Sequence, residues 1–360
     1  MVHIGIIGTG SMANSHADAY SKMKGVRLVA CCDVDLERGR AFAEKWSISA
    51  VYSDYEAMLK AVHLDGVSIV TPDPSHAAIS IACLSARVPV LCEKPMASTL
   101  ADARRMLEAS RKSNIVQMVN YSKRNSAGLQ AARKLIASGG IGAIKHVEAS
   151  YLQGWLATPV WGDWRKTPRL TWRLSKKHGS LGVLGDLGCH IYDMATFLCG
   201  DIAELYCRLE TFDKGIPEGK IGEYDLDAND SFISTVTFGN GALGTVHSSR
   251  WAVSFVDRPM IRVHGDEATV EVDLSRSWDD YYLYKAKARE WKTVRGKKSM
   301  SNYERFIHAL KSGKGDESDF ENAYRIQVYL EYSMRSNARR GPITIDQHAL
   351  EAQRAMVIAP

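Results

Sequence analysis

The feature that most constrains the fold is an alternation, through the first third of the chain, of short Val- and Ile-rich runs with longer segments of helical pattern. Val2–Ile7, Val26–Cys32, Ala50–Tyr52, 67–70, 88–92 and 115–119 lack polar alternation and read as strands buried on both faces. Helical segments lie between them, with a capping-box pattern from Ser53 to Glu56 and a weaker one from Thr99 to Asp102. Strand and helix in strict turn predict a doubly wound α/β domain with a parallel sheet and right-handed crossovers.

The first turn of that pattern is Gly8-Thr9-Gly10-Ser11-Met12-Ala13, a GxGxxA between a strand and a helix. Gly8 permits the tight turn, Gly10 lets backbone approach a pyrophosphate, and Ala13 lets the helix pack closely on the sheet. The second strand ends at Asp33, about twenty residues further on, where a carboxylate accepts hydrogen bonds from an adenosine ribose. That carboxylate favours NAD over NADP, since it repels a 2′-phosphate, although Arg38 in the next helix keeps NADP open. The alternative role for Asp33 is a helix cap. Thr71-Pro72-Asp73-Pro74-Ser75-His76 follows the fourth strand and reaches the same ligand edge, with Thr71 and Pro72 expected along the cofactor. A histidine placed like His76 is more often structural than catalytic.

Glu93-Lys94-Pro95 ends the fifth strand at that edge as well, where a bare reading makes Pro95 a strand terminator. With a dinucleotide turn upstream, Lys94 is a cation held beside a cofactor, its backbone kept extended by the following proline. Further along, Ser138-Gly139-Gly140 marks a helix stop and a domain crossing. There follows an arm crowded with Trp155, Trp161, Trp164 and Trp172 and with Arg165, Arg169, Arg173, Lys176 and Lys177. Indole faces lie against sugar rings and arginines clamp hydroxyls or phosphates, but the same composition builds packed interfaces. Asp186, His190 and Asp193 then stand at i, i+4 and i+7, which on an α-helix is one face able to hold an acid–base pair.

Length and composition limit the remaining classes. A chain of 360 residues is long for one core, so two domains are expected, 1–121 and 122–360. A dispersed net charge of +5 does not point to nucleic acid, and no apolar run is long enough for a membrane span. Seven cysteines without CxxC or Cys/His ligand spacing read as reduced thiols with no metal, and with the first strand beginning almost at once a cytoplasmic protein is expected. Runs at 230–238, 242–250, 259–265, 268–274 and 281–285 alternate in polarity and predict an antiparallel sheet, covered in part by helices at 301–312 and 319–338 and otherwise by another subunit. Asp225, Asp227 and Asp230 read as a solvated turn.

Taken together, the GTGSMA turn, Asp33, the TPDPSH loop, EKP at 93–95, the stretch from Tyr121 to Arg124, Trp172-Arg173, and the run from Gly182 through Asp186 to His190 resemble the Gfo/Idh/MocA family of sugar and polyol dehydrogenases. The resemblance covers about the first 200 residues in the family's order. It implies a Rossmann domain followed by an α/β domain whose large, mostly antiparallel open sheet builds homodimers or homotetramers. It implies a catalytic set of Lys94, Asp186 and His190, with His190 the base and Lys94 donating to the reacting oxygen. Gly8, Thr9, Gly10, Ser11, Met12, Asp33, Arg38, Thr71, Pro72, His76, Glu93, Lys94 and Arg173 are then expected at the cofactor. Tyr121, Arg124, Trp155 and Trp172 are expected at the substrate with Lys94, Asp186 and His190. The implied reaction is reversible oxidation of a ring hydroxyl of a sugar, inositol or related polyol by NAD. Hydrolysis of glycosides through transient oxidation, and NADP-dependent reduction of a keto-sugar, are the alternatives. One departure stands out: Ser180 and Leu181 occupy positions where the family often has glycine.

Overall fold

The computed structural model describes residues 1–346. Among the described residues two compact units are present: Met1–Ser122 with Met300–Gln327, and Lys123–Ser299 with 328–346. The expected division at 121/122 lies within a residue of the first crossing, but the single C-terminal domain needs correcting, because 300–327 returns to the first unit. The reason is packing. In the helix Asn302–Ser312, Phe306, Ile307 and Ala309 join Ile4, Ile6, Ala17, Tyr20 and Leu28 in one core. A Cβ on Gly66 would stand 3.0 Å from both Phe306 and Leu310, so glycine leaves the room this helix fills. Burying Phe306 contributes roughly 1.5–3 kcal/mol.

The first unit carries a six-stranded sheet of β1 (Val2–Ile7), β2 (Val26–Cys32), β3 (Ala50–Tyr52), β4 (Gly66–Ile69), β5 (Val90–Cys92) and β6 (Gln117–Val119), in the order β3-β2-β1-β4-β5-β6. Every pairing is parallel, and Ile7, Cys32, Ile69, Cys92 and Val119 are joined in one row of register. The connections after β1, β2, β4 and β5 therefore emerge side by side at the carboxyl edge. Strand order reverses between β1 and β4, which is where open α/β sheets bind ligands.

The second unit adds β7 (Ile144–Leu152), β8 (Ile202–Glu210), β9 (Lys220–Ile221), β10 (Tyr224–Asp225), β11 (Ser231–Phe238), β12 (Leu243–Ser249), β13 (Arg258–Gly265), β14 (Ala268–Asp273), β15 (Asp280–Lys285), β16 (Glu290–Arg295) and β17 (Ile343–Thr344). β9 and β10 pair alone, and the others form a nine-stranded sheet ordered β16-β15-β14-β13-β7-β12-β11-β8-β17. The pairing of β12 with β7 is parallel and the rest are antiparallel. Sequence patterning passes over β16 because Glu290, Trp291 and Lys292 stand in the open on an edge strand.

One face of this sheet is covered by the helix Cys189–Cys199, whose Tyr192 stacks on Phe232 at 5.9 Å and bonds to Ser234 and Ser333. The latter part of the helix Phe320–Arg339 also covers it, with Ser336 accepting from the Cys207 amide and Asn337 from that of Leu209. Of the two helices expected over this sheet, only Phe320–Arg339 contributes to the second unit, through its part from Val328 on, while Asn302–Ser312 belongs to the core of the first. Ile233 and Leu243 point outward, each 59% exposed.

Candidate active site

At the carboxyl edge of the first sheet, Gly8 has φ +88°, and a Cβ there would meet the Val70 carbonyl at 2.7 Å and the Thr71 nitrogen at 2.8 Å. A Cβ on Gly10 would meet nothing within 4 Å, so the backbone in front of the helix Ala13–Ser21 stays open to a bulky anion. No acidic residue lies in that helix's first turn to offset its positive end. An NAD pyrophosphate fits such a cradle.

Asp33 is buried and collects its own donors: Thr9 through its amide (2.8 Å) and hydroxyl (2.7 Å), the Asp35 amide (3.0 Å), and Arg38 through Nε (3.1 Å) and Nη2 (2.6 Å). Burial pushes its pKa up, but the bonds from Arg38 and Thr9 outweigh burial and hold it down at about 2. Asp33 is an anion at neutral pH. Thr9 turns its hydroxyl onto this carboxylate, while Ser11 and Met12 are exposed.

Both ring nitrogens of His76 face carbonyl oxygens, Nδ1 that of Pro95 and Nε2 that of Thr71, each at 2.9 Å. Two acceptors favour a ring that donates from both nitrogens, the protonated form. Burial opposes that charge, yet Cys92, Asp73 and the Pro95 carbonyl raise the pKa to about 10. His76 thus clamps the loop after β4 to the turn after β5. In that turn the Lys94–Pro95 bond is cis. Glu93, expected at the cofactor, turns its carboxylate inward to His16 (2.9 Å) and Asn120 (2.6 Å). Burial pushes Glu93 up, but the bond and charge of His16 prevail, with Lys94 and Asn120 adding to them, and leave it below the usual carboxylate range. The buried Glu93 anchors the turn that carries half-buried Lys94.

The second unit assembles its polar groups through sheet register. Leu152 pairs with Ser249 on one side and with Arg258 on the other, which brings Gln153, Arg250 and Asp257 together just past the strand ends. Gln153 donates to Asp257 (2.7 Å) and accepts from the Trp155 indole (3.0 Å). The Arg250 guanidinium lies 5.2 Å from the Trp155 ring, donates to Asp186 (3.0 Å), and also donates to the Arg173 carbonyl (3.0 Å). Arg173 approaches the same Asp186 oxygen at 3.7 Å. Arg250 is fully buried, which lowers its pKa, and Asp186 is the carboxylate bonded to it. Lys123 stands 3.6 Å from Asp257 and over the rings of Tyr151 (5.0 Å) and Trp278 (5.5 Å). The Tyr151 ring lies 6.1 Å from that of His190, and burial, with Asp257 beside it, keeps the phenol protonated.

The face shared by Asp186, His190 and Asp193 needs correcting. Leu184–Gly188 is a π-helical turn, and the α-helix begins only at Cys189, so the 3.6-residue reckoning does not reach Asp186. Asp193 is fully buried against Arg124, which donates to it through Nε (2.8 Å) and Nη2 (2.6 Å) and packs on Phe197. Arg124, expected at the substrate, is committed to this pair. Tyr121 is buried in the first unit. Trp155 and Trp164 sit in a small core with Leu156, Leu170 and Leu174, so much of the arm's indole surface is packing. Trp172 is half-buried, with Arg173 over it at 4.7 Å. Ser180 donates to the Arg173 carbonyl (2.7 Å), so a side chain standing where the family often has glycine helps hold this loop. Asp230, read as part of a solvated turn, is buried on Lys214 at 2.7 Å.

Residues 2–121 match the oxidoreductase family described as NAD-binding Rossmann fold, and residues 129–271 match the Gfo/Idh/MocA C-terminal domain. The chain belongs to the Gfo/Idh/MocA oxidoreductase family. Levoglucosan dehydrogenase of Pseudarthrobacter phenanthrenivorans is 30% identical over 299 residues, 76% of this chain and 74% of the relative. D-glucoside 3-dehydrogenase of Escherichia coli is 28% identical over 335 residues, 91% and 92% of the two chains. Among solved structures, levoglucosan dehydrogenase in complex with NADH and levoglucosan shares the fold at a TM-score of 0.85 and 26% identity, covering 96% of this chain and 99% of that one. For this family member, the residues that motif reading passed over are Tyr151, Gln153, Arg250 and Asp257, together with Lys123, which lies inside a recognised motif. The available signal was a charge or amide placed just past an apolar strand.

Proposed function

We propose that this chain is an NAD-dependent dehydrogenase that oxidises a ring hydroxyl of a sugar, inositol or related polyol to a ketone, reversibly. The observation that carries the reading is the Asp186 carboxylate, held by the buried Arg250 and by Arg173, four residues before His190 in a chain whose first unit is an NAD-binding domain. Bound at the Gly8–Ala13 turn, NAD supplies the hydride acceptor. His190 takes the hydroxyl proton, and Asp186, an acceptor only, holds a neighbouring hydroxyl. Lys94 keeps the role its motif gives it, donating to the reacting oxygen, a contribution of about 3 kcal/mol. Asp33 favours NAD over NADP, because its carboxylate repels a 2′-phosphate and has already engaged Arg38.

The relatives named above act on levoglucosan and on a D-glucoside, so a pyranose ring is the substrate class to try first. We also assign the chain to the cytoplasm, since its seven cysteines are all free and buried, and to a homodimer or homotetramer built on the outward Ile233 and Leu243 face. No described helix is long and apolar enough to cross a membrane. The test is a panel of pyranosides, aldoses and inositols with NAD and NADP, reading the NADH band and the product together. NADH formed with a ring polyol supports the proposal. Sugar release without net NADH would replace it with glycoside hydrolysis.

A further inference from the structure

We propose that His3, His63 and Asp65 form a binding site for one divalent ion of the zinc class, at the end of the first unit's sheet opposite the dinucleotide turn. His3 lies near the start of β1, and His63 and Asp65 lie in the connection entering β4, the strand beside it. Two backbone-directed bonds fix the connection to the strand: the Asp65 amide donates to the His3 carbonyl (2.9 Å), and the His3 amide donates to Asp65 Oδ2 (2.7 Å). Asp65 Oδ1 is thereby turned toward His63 Nε2, 3.6 Å away. The His3 and His63 rings meet edge to face at 6.2 Å.

One ligand atom from each of the three residues lies within 4.8 Å of the others. On a tetrahedral ion with bonds of about 2.0–2.2 Å, donors stand about 3.4 Å apart, so the widest separation must close by up to about 1.4 Å. The His63 side chain is 83% exposed and can rotate inward to do this. Among the described residues, neither ring nitrogen of His3 has a hydrogen-bond partner, and no lysine or arginine is paired with Asp65. Three converging donors thus stand with one negative charge and no fixed cation.

Two imidazoles and one carboxylate suit zinc, nickel or copper(II); the oxygen-seeking calcium and magnesium would want more carboxylates and carbonyls. Water completes such a three-ligand site. The expectation of no metal came from spacing along the chain, whereas His3 and Asp65 stand 62 residues apart and meet only because β1 and β4 are neighbours. A bound ion would staple the turn before β4 to β1 and stabilise the folded state by mass action. From His3 to Gly8 the strand runs about 16 Å, so dinucleotide binding should not respond.

The experiment is calorimetric titration of chelator-stripped, full-length protein with zinc chloride, repeated with cobalt(II) for its ligand-field spectrum. Expected are one ion per chain at micromolar affinity, a cobalt spectrum of low coordination number, and a loss of about tenfold or more in both His63→Ala and Asp65→Asn. His63 is exposed, and the side-chain amide introduced by Asp65→Asn keeps an oxygen to accept from the His3 amide, so both variants should fold and bind NADH as the wild type does. Absence of zinc binding at micromolar concentration, or unchanged affinity in His63→Ala, overturns the proposal. The readout needs no turnover, so it stands or falls apart from the dehydrogenase assignment.

Discussion

Where β1 turns into the helix Ala13–Ser21, the first unit offers a ligand mostly main chain: Gly8 at φ +88°, open space at Gly10, and an uncapped positive helix end. Past the ends of β7 and β12, the second unit offers instead a connected run of side chains from Asp257 through Gln153, Trp155 and Arg250 to Asp186. Backbone amides recognise a phosphate on any dinucleotide, and a sequence needs only small residues at fixed spacing to expose them. Desolvated charges are costly to hold and costly to leave unpaired, so they must be built from several strands at once. Such groups can discriminate one hydroxyl from its neighbour. On the proposed function, the common ligand is met by local sequence and the particular one by tertiary assembly.

Four substitutions can break or sharpen that contrast. The largest effect is expected from Asp193→Asn, which strips the nearly inaccessible Arg124 of its partner; losing one member of a buried pair costs about 3–5 kcal/mol. Urea unfolding should show that loss while NADH affinity per folded molecule is unchanged; an equal loss of NADH affinity would mean the two regions are not separable. Next comes Lys94→Ala, expected to lower turnover by about 10²–10³ and leave NADH titration unaltered. Retained turnover would remove Lys94 from the chemistry.

Asp33→Asn should cost about 1.5–3 kcal/mol and narrow the preference for NAD over NADP. Its pH dependence has a definite sign. The folded pKa, about 2, lies below the ordinary value of about 3.9. The carboxylate's contribution is therefore complete above pH about 4 and lost as pH falls from there toward 2. The stability gap between wild type and Asp33→Asn must close over that interval, and a gap that persists at the acid end would show that its source is not this charge. Arg38→Gln is expected to be smallest, about 1 kcal/mol or less, because half of that side chain is in water.

The same contrast decides what could be read from the sequence. The parallel sheet, the dinucleotide turn, Asp33 and the Lys94 turn are each written in a few consecutive residues, and β1, β2 and β3 match their expected bounds. Errors there are local: Asp54, not Ser53, caps the helix Tyr55–Ala61 by accepting from Glu56 and Ala57. In the second unit β11 to β15 were legible because period-two burial marks each one separately, whereas β8 was passed over. Arg250 and Asp257 were not, because nothing within a strand says which strand end will lie beside it. The π-helical turn at Leu184–Gly188 displaced the helical face, since 3.6-residue spacing assumes an unbroken α-helix. The helix Asn302–Ser312 has a clear capping box in Ser301 and Glu304, yet its sequence does not say which sheet it covers.

The central claim is direct removal of a hydride from a ring carbon, with the proton taken by His190. Its most direct test follows deuterium from a ring-deuterated pyranoside or inositol into the cofactor, in wild type and in His190→Asn. The account predicts one deuterium in NADH for each ketone formed by the wild type, and lost turnover with retained NADH binding in the variant. Ring deuterium left in the sugar while NADH accumulates, or a variant as active as the wild type, would contradict it.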